Sequence, residues 1–383
     1  MLTPLFTDGF DIVDFQSTTL KYFTGISIPF YQGRVVAGPN SAGAISIDNT
    51  AASTVTLSVA FGGQNLVFIN GNIQINSSSF ANQVFWIIGT AAEPLLQVQI
   101  NSDGTLSLLD HTGGIIATSG VALLLNEWYW LEVNAVYGTA GSYEVWLCAF
   151  GATPAKILSG TANLTATLPD QFTIKWNSPS SYSLQLDNLT VWTGSALTDR
   201  NGPSKVTGLI AQALTQGGGW AFNGPKGTSL IQSIADDFGS YVTTPDGARS
   251  YDTPGVNNLM LTVATSPCTG LVLGVSLNVA AAPLSGSVSM TLVANERTGP
   301  YTIGVEGVSS YSLVPGDSEL NGYATYQAIA QFNEEDSNWN DLQISTTQWG
   351  VEPAQVAITQ VYLEKIVDLT GKKFGCGESS YSY

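Results

Sequence analysis

Apolar and polar residues alternate with period two through most of the chain, the spacing that gives a β-strand one buried and one open face. Val55, Leu57, Val59 and Phe61 alternate with Thr54, Thr56, Ser58 and Ala60. Leu66 to Ile69 and Ile73 to Ile75 flank Asn70-Gly71, and Leu96, Val98 and Ile100 face Leu106 and Leu108 across Asp103-Gly104. Both dipeptides suit the positive φ of a tight turn, so the pattern predicts a hairpin at each. Trp128 to Tyr137 and Tyr143 to Phe150 form a third expected pair across residues 138–142, and Phe172, Ile174 and Trp176 begin another strand.

One strand changes phase. Tyr182, Leu184 and Leu186 hold even positions whereas Leu189 and Val191 hold odd ones, so a β-bulge is expected at Asp187-Asn188. Around Thr193 to Lys226 the alternation gives way to glycine and turn formers, with at most a short helix near Val206 to Leu214. It resumes at Leu259 to Val263, Leu271 to Val279 and Val288 to Ala294, and further strands are expected at Tyr323 to Phe332 and Val356 to Leu363. Asn333 to Asp341 reads as an acidic loop. The expected fold is all-β: two antiparallel β-sandwich (jelly-roll) domains at residues 1–196 and 230–370, a Gly-rich linker at 197–229 and a polar tail at 371–383.

Charge narrows the function. The 383 residues carry 12 Lys+Arg against 29 Asp+Glu, a formal net charge of −17 that repels phosphate backbones and anionic lipid. Neither nucleic acid nor membrane is an expected partner. Asn49 to Ala92 and Thr253 to Asn295 are uncharged, but Asn, Gln, Ser, Thr, Gly and Pro interrupt both, so they read as strands and turns. Such stretches need covering, which a symmetric assembly supplies. The N-terminus carries three acids in its first fourteen residues and no basic region before an apolar run, so it does not read as a signal peptide. Without a secretory route the Asn-x-Ser/Thr triplets at Asn76, Asn163 and Asn188 carry little weight.

Cys148, Cys268 and Cys376 lie more than about a hundred residues apart, in no metal-ligand or disulfide spacing. The only histidine, His111, sits in a turn before Gly113-Gly114, leaving a serine or cysteine nucleophile without an orienting base.

Three stretches carry a family resemblance: FTDGFD (Phe6 to Asp11), NEWYWLEV (Asn126 to Val133) and LQLDNLTVWTG (Leu184 to Gly194). In them the first half resembles the concanavalin A-like, laminin-G-like jelly-roll domain of tailed-bacteriophage virion proteins. Ser204 to Trp220, Ser233 to Asp252 and Trp339 to Glu352 resemble the region downstream of such domains. The resemblance implies a structural virion component, made in a host cytoplasm, that works by contact with other virion proteins and copies of itself and not by catalysis. The alternatives are a glycan-binding attachment module and a glycan hydrolase or depolymerase, since one fold hosts all three.

Each alternative has candidate residues. Glycoside hydrolases of this fold bring carboxylates together as Glu-x-Asp-x-x-Glu on one strand, and this chain has no such triplet. Glu132 and Glu144 are each the only acid in their strand and are expected to face solvent, so no catalytic residue is assigned. For glycans the material is 9 Trp, 15 Tyr and 15 Phe. Trp128 and Trp130 share one strand face and Tyr129 and Leu131 the other, so one pair lies outside the core, most simply against a neighbouring domain or subunit. Asp8, Asp11 and Asp187 would approach one another if the terminal strands pair, a donor set suited to Ca²⁺, but no Asp-x-Asp-x-Asp loop accompanies them. No metal or other cofactor is assigned.

Overall fold

The computed structural model describes residues 2–8, 34–36, 44–47, 54–149, 152–177, 183–200, 202–216, 221–223, 241–243, 255–263, 271–285, 288–298, 301–313, 324–335, 341–348 and 355–369. Among the described residues every regular element is a strand except one 3-10 turn, Leu197–Asp199. The chain divides into two compact units. One comprises Met1–Asp11, Tyr22–Lys205 and Asp368–Tyr383, the other Ile12–Lys21 and Val206–Val367.

Among the described residues the first unit holds fourteen strands: β1 (Thr3–Asp8), β2 (Arg34–Val36), β3 (Ala44–Ile47), β4 (Thr54–Ala60), β5 (Leu66–Asn76), β6 (Gln83–Gly89), β7 (Pro94–Ile100), β8 (Thr105–Leu109), β9 (Ile115–Ala122), β10 (Trp128–Val136), β11 (Gly141–Ala149), β12 (Ala155–Ala162), β13 (Gln171–Asn177) and β14 (Ser183–Thr193). They form two antiparallel sheets packed as a sandwich. The larger runs β12-β11-β10-β5-β14-β3-β2 with β1 also paired to β14, and the smaller runs β4-β13-β6-β7-β8-β9. Ile69 and Ile73 of β5, Leu131 and Val133 of β10, Val145 of β11 and Val191 of β14 are buried, as are Leu57, Ile88, Val98, Phe172 and Ile174 of the smaller sheet. Each such side chain gains roughly 1.5–3 kcal/mol from leaving water, which is why the alternating register is held. Trp86 meets Phe172 edge-on at 5.7 Å between ring centroids.

The expected hairpin at Asn70-Gly71 is not there. Residues Leu66–Asn76 form one uninterrupted strand, paired through Asn70 and Gly71 to Glu132 and Leu131 of β10. The glycine serves the other neighbour. On β14, Asp187 pairs with Asn72 and Thr190 with Asn70, so Asn188 and Leu189 both stand opposite Gly71, and Asn188 takes φ 53°. This is the bulge that the phase change predicts. A Cβ on Gly71 would lie 3.3 Å from Leu189 Cδ1 and 3.4 Å from its Cα, so the bulge needs glycine opposite it. The hairpin at Asp103-Gly104 does form, closing β7 on β8 with Gly104 at φ 84°, as does the pair β10–β11.

In the second half the described strands are β15 (Ser204–Gln216), β16 (Ala221–Asn223), β17 (Tyr241–Thr243), β18 (Gly255–Val263), β19 (Leu271–Ser285), β20 (Val288–Thr298), β21 (Tyr301–Leu313), β22 (Ala324–Glu335), β23 (Asp341–Gln348) and β24 (Gln355–Asp368). They belong to one ten-stranded hydrogen-bonded arrangement, in which β19 lies antiparallel between β22 and β24. Two expectations change here. β15 is a strand within the stretch read as linker, where at most a short helix was expected. Its pairing with β18 slips at Ala211/Ala213 and again at Leu214/Gln216, and two slips erase the period-two signature. In the expected acidic loop, Asn333 to Glu335 extend β22 and Asp341 opens β23; 336–340 lie outside the described residues. So do Asp11, Ser233 to Ser240, Thr244 to Asp252, Cys268, Trp339, Cys376 and the polar tail.

Candidate functional site

In β10 the residues Leu131, Val133 and Ala135 point into the sandwich, so Trp130, Glu132 and Asn134 occupy the outer face of the larger sheet. That face is also closed. Glu132, expected to face solvent, has 0% exposure, and Trp130 and Asn134 are buried with it. Register builds the surroundings. Glu132 stands between Asn70 of β5 and Trp146 of β11, Trp130 between Asn72 and Cys148, and Asn134 between Phe68 and Glu144. Beyond Asn70 lies Thr190, whose hydroxyl donates to Asn70 Oδ1 at 2.7 Å and accepts from Trp192 Nε1 at 2.8 Å.

The cation that meets Glu132 comes from outside the sheets. Arg200 Nε donates to Glu132 Oε1 at 2.8 Å, which also accepts from Asn134 Nδ2 at 2.8 Å. The turn before Arg200 is built locally. Asp199 Oδ2 accepts from the Ser195 hydroxyl at 2.7 Å and from the amides of Ser195 and Ala196, and the Ser195 hydroxyl holds this carboxyl far below the usual range. The guanidinium then lies 3.6 Å from the Trp146 ring centroid and 5.8 Å from that of Trp130. Cation–π contacts of this kind contribute about 0.5–2 kcal/mol each.

A second ion pair stands beside the first. Glu144 accepts from Lys156 Nζ at 2.7 Å and from Trp146 Nε1 at 3.0 Å, and Lys156 lies 5.3 Å from the same ring centroid. Glu132 and Glu144 therefore share a face, one register step apart on neighbouring strands, and each is already engaged. Burial raises the Glu132 pKa; Arg200, Asn134 and an amide of Gly202 pull the other way with less effect. Six buried polar atoms here have no hydrogen-bond partner among the described residues: Asn70 Nδ2, Asn72 Nδ2, Trp130 Nε1, Glu132 Oε2, Asn134 Oδ1 and Arg200 Nη2.

Of the other candidates, Trp128 continues the face of Trp130, and register sets Cys148 opposite Trp130 and Asp187 opposite Asn72 at the border of this cluster. Trp128 is half-buried, and Tyr129 is buried with its hydroxyl accepting from the Leu124 amide at 2.9 Å. His111 is exposed in a turn that Asp110 closes by accepting from Thr112 and Gly114. Cys148 is buried with a free thiol, which donates to Ala152 O at 2.9 Å and whose pKa burial raises. The terminal strands do pair, bringing Asp8 of β1 opposite Leu189 of β14, and Asp187 is buried. Among the described residues no group of three or more His, Cys, Asp or Glu comes together to hold a metal. Asn76, at the end of β5, and Asn163 are exposed, and Asn188 is buried in the bulge.

Sequence reasoning missed Arg200. Its one signal was isolation, as the only Lys or Arg between Lys175 and Lys205.

No family model and no curated protein matches the chain. Among solved structures it is similar to an alginate lyase from Aplysia kurodai, at 12% identity over 44% of this chain and 91% of that one, with a TM-score of 0.32. It is also similar to lectin II from Ulex europaeus, at 8% identity over 43% and 92% with a TM-score of 0.32. A carbohydrate esterase of the Shiga toxin-encoding bacteriophage phi24B aligns at 15% identity over 51% of this chain and all of that one, with a TM-score of 0.33.

Proposed function

We propose that this protein is a structural component of a tailed-phage virion, a decoration, fibre or tail-associated protein that acts through contacts with other virion proteins and with copies of itself. The observation that carries the reading is the closed outer face of the larger sheet. Glu132 is spent on Arg200, Glu144 on Lys156 and Trp146, and Trp130 lies under the guanidinium. On this reading the sandwich presents surfaces to partners, and no turnover of polysaccharide or peptide is expected. The motifs NEWYWLEV and LQLDNLTVWTG, which carry the phage resemblance, contribute β10 and β14, the two neighbours of β5 in this sheet.

A glycan-binding attachment module is the second reading. Trp128 and Trp146 are half-buried, so a polar-aromatic rim with Lys156 beside it remains open to a sugar. A hydrolase or depolymerase requires two free carboxyls flanking a sugar bond, and Glu132 and Glu144 would first have to leave their cations.

Mass spectrometry of purified particles with a cryo-EM map tests the first reading. It predicts this chain in stoichiometric amounts with its density located on head or tail. Absence from particles, together with tight retention of the chain on a glycan surface, would replace the first reading by the second.

A further inference from the structure

The two strands that end the sheets of the first unit lie side by side, β9 ending the smaller sheet and β12 the larger. Edge strands are where soluble proteins place charges, prolines, bulges or covering loops, because an unpaired row of N–H and C=O groups is a template for another strand. This seam is blunted by bulges, two where β9 pairs with β8 and one where β12 pairs with β11, but by no proline and only one charge. Of the sixteen residues in β9 and β12 only Ser119 is buried. Ile115 is 64% exposed and Val121 47%, and Leu124 just beyond β9 is 64% exposed. From Gly113 to Asn126 there is no charged residue, and from Phe150 to Pro169 the only one is Lys156, whose charge Glu144 neutralises at 2.7 Å.

From this seam we infer that the protein self-associates, β9 of one copy pairing antiparallel with β9 of a second about a two-fold axis, with β12 flanking the contact. The inference rests on the reading that the protein works through protein contacts, and it names the surface used.

Charge selects the occupant. Two copies at −17 repel each other across most approaches, and the repulsion is least where both present a neutral strip. A two-fold arrangement sets this strip against itself, and antiparallel pairing lets the regular part of each edge satisfy the other's N–H and C=O groups. The area reaches the threshold: eight residues span at most about 26 Å, the bulges of β9 shortening it, and two edges of a sandwich cover roughly 20 Å across. That gives roughly 500 Å² per copy and about 1,000 Å² in total, the lower bound for a specific interface. Such a contact is reversible and tightens with salt, because salt screens the repulsion and leaves the apolar and hydrogen-bonding contributions in place.

Sedimentation of the full chain tests the inference, at up to about 100 µM protein and from about 50 to 500 mM salt. The expected result is a dimer that strengthens with salt. Ile115→Lys and Val121→Lys should each weaken it by about ten-fold or more with an unchanged circular dichroism spectrum, because a charge then sits on the two-fold contact. Thr54→Lys, at an exposed position on β4 at the opposite edge of the smaller sheet, should leave it intact. A wild-type monomer under every condition overturns the inference, as does a dimer that survives both Ile115→Lys and Val121→Lys. The virion reading fails separately, by absence of the chain from purified particles, so a monomer recovered from particles would refute the seam alone.

Discussion

Strands β10 and β9 lie in the same sandwich and distribute polarity in opposite ways. β10 carries Glu132 and Asn134 yet is buried on both faces, whereas β9 carries no charge and is buried only at Ser119. The difference lies in what covers each strand. β10 is paired on both sides, by β5 and β11, and on its outer face Glu132 is bonded to an arginine from the chain beyond β14; among the described residues β9 is paired only by β8. The comparison separates polarity from exposure. The polar face is an internal joint, and the apolar edge is the surface we infer to meet a second copy.

If the joint is structural, its largest element gives the largest loss. Trp130→Ala should destabilise the first unit by about 3–5 kcal/mol in urea unfolding, the usual range for a buried tryptophan. Glu132→Ala comes next at about 2–4 kcal/mol, because it leaves Arg200 beside a cavity without its carboxylate, and the double variant with Arg200→Ala should cost less than the sum of the singles. Gly71→Ala should cost about 1–2 kcal/mol, since its Cβ presses on Leu189 at the bulge. Val121→Lys, on the open edge, should change stability by less than about 0.5 kcal/mol. An Ile115→Lys or Val121→Lys loss as large as that of Trp130→Ala would erase the distinction between joint and edge.

Acidity sharpens the same contrast. Burial raises the Glu132 pKa in the folded state, so the stability it contributes is present in full below the ordinary glutamate range and is lost as pH rises through its folded value. Glu132→Gln should therefore cost less at pH about 8 than at pH about 4.5, measured by urea unfolding at each pH. Asp110 has the opposite sign. The Thr112 hydroxyl lowers its pKa, so its contribution is present above the unfolded value and fades as pH falls through the folded one. Asp110→Asn should be felt at neutral pH and not in strong acid.

Much of this fold was legible because antiparallel strands with one buried face leave a period-two trace. Even the bulge showed, since an extra residue at Asn188 moves Leu189 and Val191 to the other parity. Two features were hidden for physical reasons. Asn70-Gly71 carries turn chemistry, yet Gly71 answers a close approach from β14 that only pairing partners more than about a hundred residues away can create. β15 slips register twice and so loses its alternation. The site was less legible than the fold. Alternation places Glu132 on the outer face but says nothing about whether water or protein lies there, and Arg200 arrives from 68 residues downstream.

Hydrogen exchange followed by mass spectrometry, on the full chain in dilute and concentrated solution, tests the contrast between joint and edge most directly. Peptides covering Trp128–Val136 should exchange slowly at both concentrations, as a strand paired on both sides does. Peptides covering Ile115–Ala122 should exchange fast when dilute and gain protection as copies associate. Protection of β9 that is independent of concentration, or fast exchange across β10, would contradict the account.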